Sequence, residues 1–227
     1  MSHPLAIILI GPQGSGKGTQ ATTLVHKHRY LYIAGGDIAR RLSRQKSHLG
    51  QEVHQLMDEG KLLPDRILNH GIQAVIKASD HRSILFDGYP RTISQAEFIY
   101  PLLLEIGFRV VVIHLELDDT ECIKRIAGRL ICSKCGSVIY PKNQVSKKVL
   151  HIIRGLRGRC YHCGGNLIQR SDDTEDAVKE RLSLYHKETR AVIEFFKKKH
   201  CLHVVDATPS AEEISAAIET IIKSVTY

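Results

Sequence analysis

The feature that most limits what this chain can fold into is an apolar run that ends directly in a glycine-rich loop. The six residues Leu5–Ile10 are all apolar, with no alternation between apolar and polar positions. A short run of this kind is typical of a strand buried on both faces, as in a parallel sheet covered by helices. Four glycines and one lysine follow within residues 11–19. The sequence therefore predicts a buried parallel strand and then a loop whose backbone can approach a ligand closely.

Four other segments are interpreted as strands of the same sheet. They are residues 83–86, 110–117, 30–33 and 202–205, the last two with a weaker pattern. Helical segments lie between them, and one long helix is predicted from residues that recur at spacings of three and four. Those residues are Val178, Leu182, Tyr185, Thr189, Val192 and Phe196. Strands that alternate with helices predict an α/β fold of three layers, with a five-stranded parallel sheet between helices.

Two helix starts are predicted from capping boxes, in which a hydroxyl residue stands three positions before a glutamate. One box is Ser94 with Glu97, and the other is Ser210 with Glu213. We expect each box to open an amphipathic helix.

Two stretches interrupt the alternation of strands and helices. Residues 36–78 read as consecutive helices with no strand between them. Residues 130–169 are rich in cysteine, glycine and basic residues. Because the two stretches lie on either side of the central strands in the chain, we expect two mobile flaps over a shared site.

The loop at residues 11–19 has the spacing of a phosphate-binding loop. Its glycines let the backbone wrap phosphate oxygens with N–H groups pointing inward, and the following helix adds the positive end of its dipole. Lys17 supplies a point charge for the outer phosphates, and a hydroxyl stands two positions later, at Thr19. The pattern therefore predicts a nucleoside triphosphate site. The loop residues assigned to it are Gly14, Ser15, Gly16, Lys17, Gly18 and Thr19.

The net charge of +8 comes from one segment of the chain. Residues 124–170 contain eleven of the 32 Lys and Arg residues and no Asp or Glu, so the remainder carries 21 basic against 24 acidic residues. An excess confined in this way indicates an anionic ligand or partner nearby. Nucleic acid and a bound polyphosphate are the two candidates.

Four of the six cysteines form two C-x-x-C pairs separated by 24 residues. The pairs are Cys132 with Cys135 and Cys160 with Cys163. Two such pairs, each followed by a glycine, are typical of a zinc ribbon with four thiolate ligands, which leaves no open position for catalysis. Disulfides are the alternative, although an intracellular protein seldom keeps them. A second alternative replaces one thiolate with His151 or His162.

Further short motifs follow the phosphate loop in a fixed order. They are Gly36-Asp37 with Arg40, Asp87-Gly88-Tyr89-Pro90-Arg91-Thr92 with Gln95, Arg125 with Gly128-Arg129, Gln169-Arg170-Ser171-Asp172-Asp173, and Arg181. Together and in this order they resemble the adenylate kinase family of nucleoside monophosphate kinases, over essentially the whole chain. The resemblance implies a P-loop NTPase-type fold and reversible, Mg²⁺-dependent transfer of the ATP γ-phosphoryl group to AMP, giving two ADP.

The resemblance also implies how the chain is divided. It implies a core domain of residues 1–34, 65–129 and 170–227, a helical NMP-binding flap at 35–64, and a zinc-binding lid at 130–169.

No stretch reaches the roughly twenty apolar residues that a membrane-spanning helix needs. We therefore expect a soluble, cytoplasmic protein with no membrane partner. We expect a monomer whose partners are ATP and AMP, with nucleic acid not its main ligand.

The remaining site residues are assigned through the resemblance. Arg125 and Arg129 join the loop residues on the ATP side. The AMP site is assigned to Gly35, Arg40, Leu63, Gly88, Arg91, Gln95, Arg170 and Arg181. The catalytic set is Lys17, Arg91, Arg129, Arg170 and Arg181. These are cations because transfer between two anions needs neutralisation and alignment more than a general base.

Three acidic residues and the four cysteines complete the assignments. Asp87 ends an apolar strand and is expected to hold Mg²⁺ through water. Zn²⁺ is assigned to Cys132, Cys135, Cys160 and Cys163. Asp172 and Asp173 are expected to cap the long helix, to bind arginines of the lid, or both.

One position departs from the family pattern and bears on the acceptor base. The family usually has Ser or Thr two residues before the aspartate that corresponds to Asp37, whereas this chain has Gly35. Loss of the hydroxyl removes a specifying contact and opens space, and members acting on pyrimidine monophosphates carry a small alanine there. A pyrimidine (UMP/CMP) monophosphate kinase is therefore the first alternative. A nucleic-acid-binding zinc ribbon and a P-loop protein without turnover are the others.

Overall fold

The computed structural model describes residues 3–58, 63–80, 82–135, 138–139, 158–160, 163–169 and 173–226. The predictions made for Arg170, Asp172, His151 and His162 lie outside these residues. The strands of the described part are β1 (Leu5–Ile10), β2 (Leu31–Ala34), β3 (Ile84–Asp87), β4 (Arg109–Glu116), β5 (Leu130–Cys132), β6 (Val138–Ile139), β7 (Leu167–Ile168) and β8 (Leu202–Asp206). Its helices are α1 (Lys17–His28), α2 (Gly35–Ser43), α3 (His48–Asp58), α4 (Asp65–Lys77), α5 (Ile93–Ile106), α6 (Asp119–Ala127), α7 (Glu175–Lys198) and α8 (Ala211–Thr226).

Five parallel strands form the central sheet, in the order β2-β3-β1-β4-β8. All six side chains of β1 are buried. They alternate between two hydrophobic clusters, one formed with α2 to α5 and the other with α1, α6 and α8, while α7 contributes to both. Burying one Ile or Leu side chain stabilises the fold by about 1.5–3 kcal/mol, which explains the unbroken apolar run. The predicted α/β fold with a five-stranded parallel sheet between helical layers is confirmed.

The register of the central strands brings three loops to one edge of the sheet. Asp87 at the end of β3 pairs with Leu9 of β1 on one side and with Ala34 of β2 on the other. Because the strands are parallel, the loops that follow β1, β2 and β3 leave the same edge side by side. The phosphate loop, the start of α2 and the turn after β3 are therefore neighbours.

One of the two predicted capping boxes is wrong and the other is confirmed. Helix α5 is capped by Thr92, whose Oγ1 accepts a hydrogen bond from Gln95 N at 3.2 Å, and not by Ser94. Thr92 and Gln95 offer the same spacing two residues earlier, where the chain still has extended backbone. At α8, Ser210 Oγ accepts from Glu213 N at 3.3 Å, and Glu213 Oε2 accepts from Ser210 N at 3.0 Å.

Neither of the two stretches that interrupt the alternation adds a strand to the central sheet in the described residues. In the described residues, α2, α3 and α4 follow one another with no strand between them. Strand β5 pairs antiparallel with β6 and β7 in a second, three-stranded sheet. The exact limits of a flap and a lid stay predictions. Across the described part of the chain, every helix is too short or too polar to cross a membrane.

Candidate active site

The phosphate loop connects β1 to α1, and glycine is required at three of its positions. A Cβ at Gly11 would lie 2.6 Å from the carbonyl oxygen of Leu115, so β4 leaves no room for a side chain. Gly14 and Gly16 have φ angles of +87° and +89°, a region that other residues rarely adopt. Gly16 immediately precedes α1, so the positive end of that helix opens onto the loop.

Lys17 is the first residue of α1 and turns its ammonium group back into the loop. Its Nζ donates hydrogen bonds to the carbonyl oxygens of Gly11 at 2.5 Å and Pro12 at 2.8 Å. Burial lowers the pKa of Lys17 to about 8, a shift that Asp87 opposes and Arg91 reinforces. An anion in the loop would favour the charged form and raise this pKa again. The site is therefore built to receive negative charge.

Asp87 lies at the carboxyl edge of the sheet, next to the phosphate loop. The hydroxyl of Tyr32 on β2 donates a hydrogen bond to Asp87 Oδ2 at 2.9 Å. Burial and the Asp87 carboxylate both raise the pKa of Tyr32, so its hydroxyl remains a donor at neutral pH. The sequence offered no signal for Tyr32, because the contact depends on the pairing of β2 with β3.

The turn after β3 carries Arg91, at the edge where the sequence predicted it. Arg91 Nε donates to the carbonyl oxygen of Gly88 at 2.8 Å. A Cβ at Gly88 would lie 2.9 Å from Arg91 Nη2, so the glycine lets the guanidinium fold back against the turn. The Arg91 side chain is otherwise exposed at this edge of the sheet.

Gln95 is buried at the start of α5, and both ends of its amide have partners. Its Oε1 accepts a hydrogen bond from the backbone N–H of Arg91, and its Nε2 donates to Asp65 Oδ1, both at 2.7 Å. Asp65 Oδ2 accepts from Thr92 Oγ1, also at 2.7 Å. Asp65 thus joins the first turn of α4 to the Arg91 turn. Sequence reasoning missed Asp65, whose acidic position in a first turn would suit an ordinary helix start.

The other residues assigned to AMP lie on the neighbouring elements. Arg40 on α2 forms an exposed ion pair with Asp37, and Leu63 is half-buried against the larger hydrophobic cluster. Gly35 begins α2, and a Cβ there would lie 3.3 Å from the carbonyl oxygen of Gly88. The space expected at Gly35 is limited, because a Cβ there would be in tight contact with the turn after β3. The missing hydroxyl is the real difference at this position.

Arg125 on α6 is buried and bonded to the protein backbone. Its guanidinium donates to the carbonyl oxygens of Ala207 at 2.9 Å and Thr208 at 3.1 Å, and to that of Gly14 at 3.4 Å. Its Nε donates to Glu121 at 3.1 Å. Through Gly14, Arg125 supports the phosphate loop from behind, and its assignment to ATP stays a prediction.

Arg129 and Asp173 form a two-pronged ion pair at the two ends of the segment that contains the cysteines. Arg129 Nε donates to Asp173 Oδ2 at 2.9 Å, and Nη2 donates to Oδ1. The Asp173 side chain is 0 % exposed and that of Arg129 is 13 % exposed. Thr174 caps α7, so the capping role expected of Asp173 is wrong. Arg129 immediately precedes the predicted lid, and the binding of lid arginines by Asp173 stays a prediction.

Helix α7 is docked beside the phosphate loop through two polar contacts. Arg181 Nη1 donates to Gln13 Oε1 at 3.1 Å. One turn later, the Tyr185 hydroxyl lies 3.0 Å from Nε2 of His114 on β4. Burial lowers the pKa of His114, so the imidazole is neutral at neutral pH. These contacts place the predicted Arg181 at the loop, and Gln13 and His114 were missed because their partners are far away in sequence.

The four cysteines predicted to hold zinc come together in space. Their Sγ atoms all lie within 4.8 Å of one another. Two of these sulfur–sulfur distances are 3.4 Å, between Cys132 and Cys163, and 3.7 Å, between Cys135 and Cys160. Sulfur ligands about 2.3 Å from a tetrahedral zinc ion lie about 3.8 Å apart, whereas disulfide sulfurs lie about 2.0 Å apart. None of the four cysteines forms a disulfide, and the spacing of their sulfur atoms fits a zinc ion and not two disulfides.

These features define the class to which the protein belongs. A glycine loop that holds the Lys17 ammonium group follows β1, and a second turn that carries an arginine stands beside it after β3. A cysteine cluster lies in the segment that the Arg129–Asp173 pair joins to the core. Together they are the features of a P-loop kinase that acts on nucleoside monophosphates.

Comparison with known proteins narrows the class to one family. The family model described as adenylate kinase matches residues 9–201. Adenylate kinase from Methanosarcina barkeri is 39% identical over 219 residues, which are 96% of this chain and 98% of the relative. Adenylate kinase from Carboxydothermus hydrogenoformans is 36% identical over 95% of this chain and 98% of the relative. Adenylate kinase from Clostridium perfringens is 34% identical over 97% of this chain and 99% of the relative. The chain belongs to the adenylate kinase family.

Proposed function

We propose that this protein catalyses the adenylate kinase reaction, the reversible transfer of the γ-phosphoryl group from Mg-ATP to AMP to give two ADP. The observation that carries the proposal is the register of β1 with β3. Leu9 pairs with Asp87, so the phosphate loop and the Arg91 turn leave the sheet side by side. Two phosphate-binding turns at one edge suit transfer between two nucleotides, because they hold donor and acceptor in one geometry.

The triphosphate side of the proposed site is the loop after β1. Backbone N–H groups of residues 14–19 and the Lys17 ammonium would face the phosphate oxygens. A phosphate would offer Lys17 a charged partner in place of the carbonyl oxygens of Gly11 and Pro12. Arg129 and Arg181 are proposed to add positive charge, and the contact of Arg181 with Gln13 supports this placement.

The monophosphate side is the turn after β3 together with the start of α2. Arg91 and Arg40 are proposed to neutralise the phosphate, and Gln95 is proposed to contact the base. The other residues proposed to line this side are Gly35, Leu63 and Gly88. Arg170, outside the described residues, completes the predicted set.

The proposed mechanism rests on charge and position. In phosphoryl transfer the charge spreads over the equatorial oxygens of the transferred group, so cations that surround it stabilise the transition state. Lys17, Arg91 and Arg181 are proposed to do this. Closure of residues 35–64 and 130–169 over the site would exclude water, which otherwise competes with AMP for the phosphoryl group.

The residues proposed to hold two metal ions, Mg²⁺ and Zn²⁺, are consistent with the proposed adenylate kinase function. Bound Mg²⁺ neutralises the charge of the β- and γ-phosphates. Asp87 is the residue proposed to hold it through water, because its carboxylate stands at the sheet edge with one oxygen fixed by Tyr32. The four cysteines are proposed to hold Zn²⁺ in a closed, structural site. The monomeric state and the cytoplasmic location stay predictions.

The test is a panel of acceptors, AMP, CMP, UMP and GMP, with Mg-ATP as the donor and nucleoside diphosphate formation as the readout. We expect the highest kcat/KM for AMP. Turnover of CMP or UMP with none of AMP would refute the AMP assignment and support the pyrimidine alternative. That alternative is based on the missing hydroxyl at Gly35. No transfer to any acceptor, with Lys17→Met indistinguishable from wild type, would indicate a P-loop protein without turnover. Salt-dependent oligonucleotide binding that survives removal of ATP would indicate the zinc-ribbon alternative.

A further inference from the structure

We propose that Asp65 locks the side-chain amide of Gln95 in one orientation, and that the fixed amide selects the acceptor base by its hydrogen-bonding edge. The selected bases carry an exocyclic amino group next to an unprotonated ring nitrogen, as adenine and cytosine do. The rejected bases carry a carbonyl next to a ring N–H, as hypoxanthine, guanine and uracil do. The inference rests on the proposed function, in which Gln95 contacts the base of the monophosphate.

The lock is a set of hydrogen bonds in which every donor meets an acceptor. The backbone N–H of Arg91 donates to Gln95 Oε1, and Gln95 Nε2 donates to Asp65 Oδ1, both at 2.7 Å. Asp65 Oδ2 accepts from Thr92 Oγ1 at 2.7 Å, and that hydroxyl accepts from Gln95 N–H at 3.2 Å. The amide of Gln95 is therefore held at both ends.

If the Gln95 amide were rotated by 180°, so that its oxygen and nitrogen exchanged places, both of its hydrogen bonds would be lost. Its amino group would face the Arg91 N–H, which is a donor, and its oxygen would face the Asp65 carboxylate, which is an acceptor. A backbone N–H cannot accept and an ionised carboxylate cannot donate, so neither neighbour can adapt. Gln95 is 4 % exposed, so solvent does not relieve the mismatch. The chemistry of the two neighbours alone fixes which end of the amide is which.

Asp65 is itself held in place by the helix that it begins. One turn further along α4, Asn69 Oδ1 accepts a hydrogen bond from the buried hydroxyl of Tyr89 at 2.6 Å. Tyr89 belongs to the same turn as Arg91, so α4 is tied to this turn at two successive helical turns. The lock therefore lies in the junction between α4 and α5, where these hydrogen bonds join the two helices.

The locked amide has one free hydrogen-bonding position at each end. Oε1 has two acceptor positions and Nε2 has two N–H groups, and the lock uses one of each. An amino-bearing base donates to Oε1 and accepts from Nε2 through its ring nitrogen. A carbonyl-bearing base offers the same two functions in exchanged positions, so donor meets donor and acceptor meets acceptor. A buried site that bonds one pattern rejects the other strongly.

The experiment compares wild type with Asp65→Asn on two matched pairs of acceptors, AMP with IMP and CMP with UMP. The members of each pair differ only at one exocyclic group and the ring nitrogen beside it. We expect wild-type kcat/KM to favour the amino member of each pair by at least about 100-fold. The asparagine at position 65 offers N–H groups as well as an oxygen, so it accommodates the reversed Gln95 amide. The preference should then fall by about tenfold.

A structural role for Asp65 predicts a different result. Asp65→Asn would then lower kcat/KM equally for both members of each pair, and that outcome overturns the proposal. Equal use of AMP and IMP by the wild type overturns it as well. Glu213→Gln changes a capping carboxylate on α8 in the same chemical way and is the control, expected to keep the wild-type preference.

A second variant keeps the test decisive if Asp65→Asn does not fold, as judged by circular dichroism and thermal unfolding. Gln95→Met removes the amide that reads the base, so it should abolish the preference within each pair, and a retained preference overturns the proposal. Failure of the proposed function has its own signature, because the wild type would then not phosphorylate AMP. A wild type active on AMP with an unchanged preference in Asp65→Asn refutes the lock alone.

Discussion

Replacing Asp173 by asparagine removes the charge that faces Arg129 and leaves a side chain of nearly the same size. The Asp173 side chain is 0 % exposed and that of Arg129 is 13 % exposed, so solvent compensates poorly for the lost carboxylate. Breaking a buried ion pair by removing one partner costs about 3–5 kcal/mol, and the partial exposure of Arg129 favours the lower figure. At about 2–4 °C per kcal/mol for a chain of this size, we expect Tm to fall by about 6–12 °C.

The assay is thermal unfolding of nucleotide-free, zinc-loaded protein at pH 7, followed by circular dichroism. A double-mutant cycle with Arg129→Met separates the ion pair from other effects, because Asp173→Asn should cost much less once the guanidinium is gone. Glu175→Gln is the matched control, since Glu175 pairs with Lys179 at the surface and its loss should move Tm by less than about 2 °C. A fall in Tm no larger than that of the control, or an equal fall in both backgrounds, would refute the reasoning.

Two further predictions concern Lys17 and the cysteine cluster. Ligand-free Lys17→Met should be inactive yet more stable than wild type at pH 7, by about 1–3 kcal/mol, because burial lowers the pKa of Lys17 from 10.5 to about 8. The gain should shrink between pH 8 and 10.5, where only the unfolded wild type still binds this proton, and a gain independent of pH would contradict the assignment. Metal analysis should find about one zinc per chain, lost in Cys163→Ser and kept in the control Cys201→Ser. Wild-type protein without zinc and with all four cluster thiols titratable would refute the ribbon.

The sequence predicted those parts of the fold that depend on local pattern. The apolar run Leu5–Ile10 predicted a strand buried on both faces, and β1 has this position. The glycine spacing predicted the loop and the helix after it, because glycine is the residue that adopts the backbone conformations such a loop requires. The start of α5 was placed two residues too late, since Ser94 and Thr92 both offer a capping hydroxyl and only the backbone distinguishes them.

The contacts within the site could not be predicted, because they join residues far apart in sequence. Asp65 and Gln95 are 30 positions apart, and Tyr32 and Asp87 are 55 apart. Whether such side chains meet depends on strand register and helix packing, which no local pattern specifies. Arg125 illustrates the same limit, because its buried contacts with Ala207 depend on how α6 packs against the end of β8.

The contact between Arg129 and Asp173 also has a consequence for how the length of the chain can vary. It joins residues 44 positions apart and so closes the segment between them into a loop with both ends at the core. Because the contact holds both ends of this segment at the core, a change in the number of residues between them leaves the two ends where they are. The length of the segment can therefore change across evolution without displacing the strands of the central sheet.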